Sequence, residues 1–123
     1  MKLAKAVSGP VPESIKNRTR EEFLARSNLN ALSHDDLYWV LYRAATDAPG
    51  SADSFGQAVS DLLTASLGAG NFDFSLAMTP NGHGGVLGYQ NDALANCVYW
   101  GGDAGVLPGF GASNSITCVV FWR

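Results

Sequence analysis

The sequence predicts a single α+β domain in which helices precede an antiparallel sheet. At 123 residues the chain can bury one core, but it is too short to hold two. Apolar residues recur at helical spacing up to Leu67, and from Phe72 onward they alternate with a period of two. A run of helices followed by a run of strands is typical of α+β proteins.

Residues 1–18 are predicted to form an extended arm, and residues 19–123 the domain itself. Gly9, Pro10 and Pro12 interrupt the first segment, and it shows neither a helical nor a strand period.

Two capping motifs predict where the first two helices begin. Thr19 and Glu22 fit a capping box, so a short helix is expected from residue 20 to about residue 27. Ser33, with two aspartates in the turn that follows, predicts a second helix start. This second helix should end at residue 45 or 46, because Pro49 cannot continue it.

The third predicted helix has the clearest pattern in the chain. Ser51 or Ser54 can cap its start, and Gly68 and Gly70 can supply a left-handed stop. Apolar and small side chains fall on one of its faces at a spacing of three and four residues: Phe55, Val59, Leu62, Leu63, Ser66 and Leu67.

Four strands are expected after Asn71. They cover residues 72–78, 86–90, 94–100 and 116–122. Since consecutive strands usually lie side by side, the simplest topology is a four-stranded antiparallel meander whose apolar face is covered by the helices. The last strand would then lie at an edge, where it could pair with a partner.

The last two strands are apolar on both faces, so each is either buried on both sides or meets another molecule. Cys97 and Cys118 lie in them and are expected to be small buried hydrophobic residues. A disulfide between them remains an alternative if the strands are neighbours. The predicted core comprises Leu37, Leu41, Phe55, Val59, Leu62, Leu63, Phe72, Phe74, Leu76, Val98, Val119 and Phe121.

Charge is sparse and unevenly distributed. Charged residues make up 15% of the chain, and no lysine or arginine occurs between Ala44 and Trp122. A binder of nucleic acid needs clustered cations to neutralise phosphates, so that function is not expected. No apolar run is long enough to span a membrane, and no signal peptide is recognised, so a cytoplasmic location is expected.

His83 lies between glycines in the sequence Asn-Gly-His-Gly-Gly, which is typical of a hairpin turn. A general base needs a partner that orients it and walls that exclude water. The tip of a hairpin offers neither unless the long loop over residues 101–115 folds over it and brings Asp103 near. His83 and Asp103 are therefore weak catalytic candidates for a small enzyme. The spacing of His34 and His83 indicates no metal site, and no cofactor is expected.

A small glycan-binding domain is another function that the sequence allows, besides an enzyme that uses His83. Tyr89 and Trp100 are followed by Asp92 and Asp103 on glycine- and amide-rich turns. Sugars are held by a flat apolar ring together with directed hydrogen bonds, and these residues supply both.

The sequence favours a protein-binding or assembly module, such as an inhibitor, an immunity protein or a subunit of a complex or virion. Low charge and two-sided apolar strands are its support. The predicted partner is another protein or a second copy of the chain, bound through the arm and a surface around Tyr89, Trp100, Phe110 and Trp122. If this is correct, Trp122→Ser should weaken association without unfolding the domain.

Overall fold

The computed structural model describes residues 7–27, 32–48, 52–80, 96–111 and 113–123. Within these ranges four helices precede an antiparallel sheet of three strands, which confirms the α+β class. The elements are α1 (Glu13–Lys16), α2 (Arg20–Ser27), α3 (His34–Asp47), α4 (Ala52–Leu67), β1 (Phe72–Pro80), β2 (Asn96–Asp103), a 3₁₀ turn (Ala104–Val106) and β3 (Asn114–Trp122).

The predicted capping box at Thr19 and the predicted cap at Ser33 are both present, and the structure shows that the second is also a capping box. The Glu22 backbone N–H donates to Thr19 Oγ1 at 3.1 Å, and the Thr19 N–H donates to Glu22 Oε1 at 3.3 Å. At the start of α3, the Asp36 N–H donates to Ser33 Oγ at 3.1 Å, and the Ser33 N–H donates to Asp36 Oδ2 at 2.9 Å. These bonds satisfy backbone donors that a helix start leaves unpaired, which is why both helices begin where the sequence predicts.

The helix α4 buries the face that its periodicity predicts, including Phe55, Val59 and Leu63. Beyond its last turn, Gly68 has a φ of 91° and Gly70 a φ of 80°. Only glycine adopts these left-handed values without strain, so the pair ends the helix and turns the chain into β1.

The predicted extended arm is not confirmed in the part that the structure describes. The short helix α1 begins after Pro12, and a proline suits a helix start because its missing N–H is not needed there. Ile15, in the middle of α1, is only 1% exposed. Residues 13–16 are therefore anchored to the domain instead of extending away from it.

Val7 is held at the outer edge of β2. Its N–H donates to the Gly101 carbonyl oxygen at 2.7 Å, and the Asp103 N–H donates to the Val7 carbonyl oxygen at 3.1 Å. A side chain at Gly102 would place its Cβ 2.6 Å from the Val7 oxygen. This close approach of two backbones requires glycine at position 102.

The predicted meander is not confirmed, because the described strands have the order β1-β3-β2. The strand β3 pairs antiparallel with β1 on one side and with β2 on the other, so it is central and does not lie at an edge. Its residues Val119 and Val120 are fully buried on opposite faces. The strand predicted at residues 86–90 lies outside the described residues.

The core lies between the helices and one face of the sheet. From α3, Trp39 stacks on Phe23 with ring centroids 4.6 Å apart, and Tyr38 lies 5.3 Å from the Trp100 ring of β2. Of the predicted core, the helical residues and Val119 are buried, and Phe121 is half-buried. Four predicted strand residues are half-buried and pack against the core: Phe72, Phe74, Leu76 and Val98.

A buried ion pair joins the segment before α2 to the start of α3. Arg18 Nη1 donates to Asp36 Oδ1 at 2.9 Å, and the two side chains are 7% and 4% exposed. The Arg18 carbonyl oxygen also accepts from Trp39 Nε1 at 2.9 Å. Asp36 therefore caps α3 with one carboxylate oxygen and binds Arg18 with the other.

Candidate functional site

Two of the predicted contact residues are core residues. Trp100 is fully buried, and Trp122 is 5% exposed. Trp100 of β2 pairs with Cys118 of β3, and Trp122 lies two residues after Val120 on β3. Both indoles therefore lie on the helix-covered face of the sheet, together with Val120 and Cys118. The single chain therefore presents neither indole for a contact with a partner, and the buried Trp100 ring offers no face to a sugar.

The other predicted site residues are scattered. Phe110 is half-buried and packs edge-on against Phe55, with ring centroids 4.9 Å apart. Asp103 is exposed and lies beside a shallow groove formed with Gly9 and Pro10, immediately before the 3₁₀ turn. Three predicted residues lie outside the described part of the chain: His83, Tyr89 and Asp92. The proposed pairing of His83 with Asp103 stays a prediction.

An apolar cavity of about 110 Å³ opens between the first turn of α4 and the last residues of β1. We call it the apolar notch. Its lining is formed by Ala52, Phe55, Leu76, Ala77, Met78 and Ile116. The lining side chains are apolar, so the notch suits an apolar group and offers no side chain that could catalyse a reaction.

Met78 is the exposed large hydrophobic residue of the described chain, with 40% of its surface accessible. It pairs with Ile116 in the sheet, and Ile116 is 1% exposed. The side chain of Met78 therefore begins in the core and reaches solvent at the rim of the notch. Methionine is flexible and polarizable, and it is common at surfaces that accept varied apolar partners.

The notch is not visible in the sequence. Phe72, Phe74 and Met78 alternate along β1, and this alternation predicts only that they share one face of the strand. The alternation identifies the face of the strand, but it does not show where the covering helix stops. Among the described residues, α4 begins at Ala52 and leaves the end of β1 partly uncovered, and only the three-dimensional packing reveals this.

One acidic residue adjoins the notch. Asp53 is exposed in the first turn of α4, next to Ala52 of the lining. From Ala44 to Trp122 the sequence contains six aspartates and no lysine or arginine. Asp53 therefore places a negative charge beside the notch.

The two cysteines have different environments and do not form a disulfide. Cys97 pairs with Phe121 and Cys118 with Trp100, which places the two thiols on opposite faces of the sheet. Cys118 is buried as predicted, and burial raises its pKa to about 12. Cys97 is exposed, which corrects the prediction, although partial burial also raises its pKa. Raised pKa values keep both thiols protonated and weakly nucleophilic near neutral pH.

Within the described ranges, no three side chains among His, Cys, Asp and Glu are grouped so that they could hold a metal ion. The helices of that same part of the chain are too short or too polar to cross a membrane. Comparison of the chain with family models, with curated proteins and with solved structures found no match.

Proposed function

We propose that this chain is a small protein-binding or assembly module that acts through contacts with another protein or with further copies of itself. Inhibitors, immunity proteins and subunits of complexes or virions are modules of this kind. The observation that carries the proposal is the apolar notch with the exposed side chain of Met78 at its rim. This surface replaces the one predicted around Trp100 and Trp122.

The physical support comes from the uneven distribution of binding free energy over the residues of a protein interface. A few apolar anchors that fill pockets contribute most of the binding free energy, and the surrounding contacts mainly exclude water. Burying a methionine side chain contributes about 1.5–3 kcal/mol in full, and Met78 still has 40% of its surface to bury. A partner that inserts an apolar group beside Met78 would gain binding free energy from filling the notch and from burying the rest of the Met78 side chain.

The notch alone is smaller than a stable interface, which buries about 1,200–2,000 Å² in total. The proposed interface therefore extends beyond the notch to the neighbouring surface of α4 and β1. The proposal includes the predicted cytoplasmic location, because that is the compartment in which the chain would meet such a partner.

The proposal is tested by measuring the mass of the protein in its native state. The chain, purified gently from its own host, should form a species heavier than 13.0 kDa, either as a homo-oligomer or with a stoichiometric partner. A clean monomer across the micromolar range, with no bound partner, would count against protein binding and favour the two alternatives, catalysis that uses His83 or binding of a saccharide.

A further inference from the structure

We infer that Val7 covers the outer edge of β2 and thereby prevents this edge from pairing with β2 of a second copy of the chain. The inference concerns a different surface from the apolar notch and does not depend on it. It is drawn from the main-chain hydrogen bonds of Val7, from the glycine that admits them and from the charge of β2.

The outer edge of β2 is a place where a strand can pair. In the described sheet, β2 bonds to β3 on its other side. The Gly101 carbonyl oxygen accepts from the Val7 N–H at 2.7 Å, and the Asp103 N–H donates to the Val7 oxygen at 3.1 Å, so these groups point away from β3. Backbone groups at the edge of a sheet are a template for pairing with another chain, and proteins commonly cover them to prevent it.

The contact that Val7 makes is short. Among the described residues, Val7 forms one parallel bridge to β2, opposite Gly102, and its half-buried side chain packs against the core. Two residues later, Gly9 has a left-handed φ of 81°, and α1 begins at Glu13. A single bridge is enough to exclude a longer strand, because that strand would need the same groups of Gly101 and Asp103.

A second copy is the strand that Val7 excludes. Main-chain pairing requires no particular side chains, and two identical strands can pair antiparallel about a twofold axis, where the surface is complementary to itself. Asp103 is the charged residue of β2 and lies at its end. Antiparallel pairing in register would place the two Asp103 carboxylates at opposite ends of the joined strands, so repulsion between them would not oppose it.

The experiment compares the self-association of the full chain and two variants by sedimentation equilibrium, with circular dichroism to check the fold. Val7→Pro removes the N–H that donates to Gly101. Val7→Ala is the matched control, because it removes the packing of the side chain but keeps the backbone N–H and carbonyl that bond to β2.

The expected result is a shift of the monomer–dimer equilibrium in Val7→Pro, by about tenfold or more towards the dimer relative to the wild type, because a hydrogen bond that competes with pairing is lost. Val7→Ala should behave as the wild type does. Hydrogen exchange locates the new contact: the Asp103 amide should exchange rapidly in dilute Val7→Pro and slowly at concentrations where the dimer predominates.

Four outcomes would overturn the inference. Val7→Pro may associate no more than the wild type, or Val7→Ala may associate as strongly, which would assign association to lost packing. A dimer whose Asp103 amide still exchanges rapidly would place the contact elsewhere. A Val7→Pro chain that does not fold would show that the fold requires this contact and that the edge cannot be opened. Each comparison is made against the wild type under the same conditions, so none of these outcomes decides whether the notch binds a partner.

Discussion

Asp36→Asn should destabilise the domain strongly, because it leaves the Arg18 cation buried without a counter-ion. The two side chains are 7% and 4% exposed, and their closest atoms are 2.9 Å apart. Opposite charges about 4 Å apart attract by about 4 kcal/mol at an effective dielectric constant of 20. Removing one partner of a buried pair typically costs about 3–5 kcal/mol. We expect a loss in this range from the free energy of unfolding.

The assay is equilibrium unfolding in urea, followed by tryptophan fluorescence and by circular dichroism. The exposed pair Arg43–Asp47 is the matched control, because its atoms are only 2.6 Å apart but its side chains are 36% and 60% exposed. Asp47→Asn should therefore cost less than about 1 kcal/mol. The variant Arg18→Met/Asp36→Asn should recover part of the loss, since it buries no unpaired charge. Equal costs for Asp36→Asn and Asp47→Asn would refute the reasoning from burial.

Three further predictions follow from the core and the sheet. Trp122→Ser should lower the free energy of unfolding by about 3–5 kcal/mol, because the indole is core; normal stability in a chemical melt would contradict this. Gly102→Ala should lower the free energy of unfolding by about 1–3 kcal/mol, since its Cβ would meet the Val7 oxygen. Gly56→Ala has open space around it and should stabilise α4 by about 0.4–1 kcal/mol. Thermal unfolding that ranks the two variants otherwise would argue against the Val7 contact. Burial raises the pKa of Cys118 to about 12, so the folded thiol should resist a thiol reagent at pH 8 and react in denaturant; rapid labelling of the native protein at this position would contradict it. Because the unfolded thiol ionises nearer its ordinary pKa of 9.0, this residue's contribution to stability is complete below that pH and is lost as pH rises towards 12.

The helices were predictable because their signals are local. Thr19 and Ser33 each lie within three residues of the groups that they cap, and the face of α4 repeats over four turns. The helix α1 was missed because four residues are too few to show a period, and its burial depends on the single apolar residue Ile15.

The order of the strands was not predictable, because it depends on contacts between residues far apart in the chain. The strand β3 is apolar on both faces, and that pattern fits either a central strand or an edge covered by a partner. Pairing of Phe72 with Trp122 decides between the two, and no local signal encodes this contact. The prediction that Trp100 and Trp122 lie at a binding surface was wrong for the same reason.

The residues that line the candidate site on β1 follow the alternating pattern of a strand, and that pattern does not mark them as a site. Met78 has the same alternation as Phe74, and it differs only in lying where α4 no longer covers β1. The acidic character of the body was visible from Ala44 onward without any structure. The composition of this half of the chain can therefore be taken from the sequence, whereas the position of the notch requires the fold.

The most direct test of the central claim is native mass spectrometry of three forms of the chain, expressed in its own host and purified gently. The control Thr64→Lys places the same charge at an exposed position of α4 outside the lining of the notch. The wild type and Thr64→Lys should both carry a partner or form an oligomer heavier than 13.0 kDa, and Met78→Lys should be a folded monomer. Monomers in all three cases would contradict the proposal that this chain works by binding protein. An assembly that persists in folded Met78→Lys would contradict the assignment of that binding to the apolar notch.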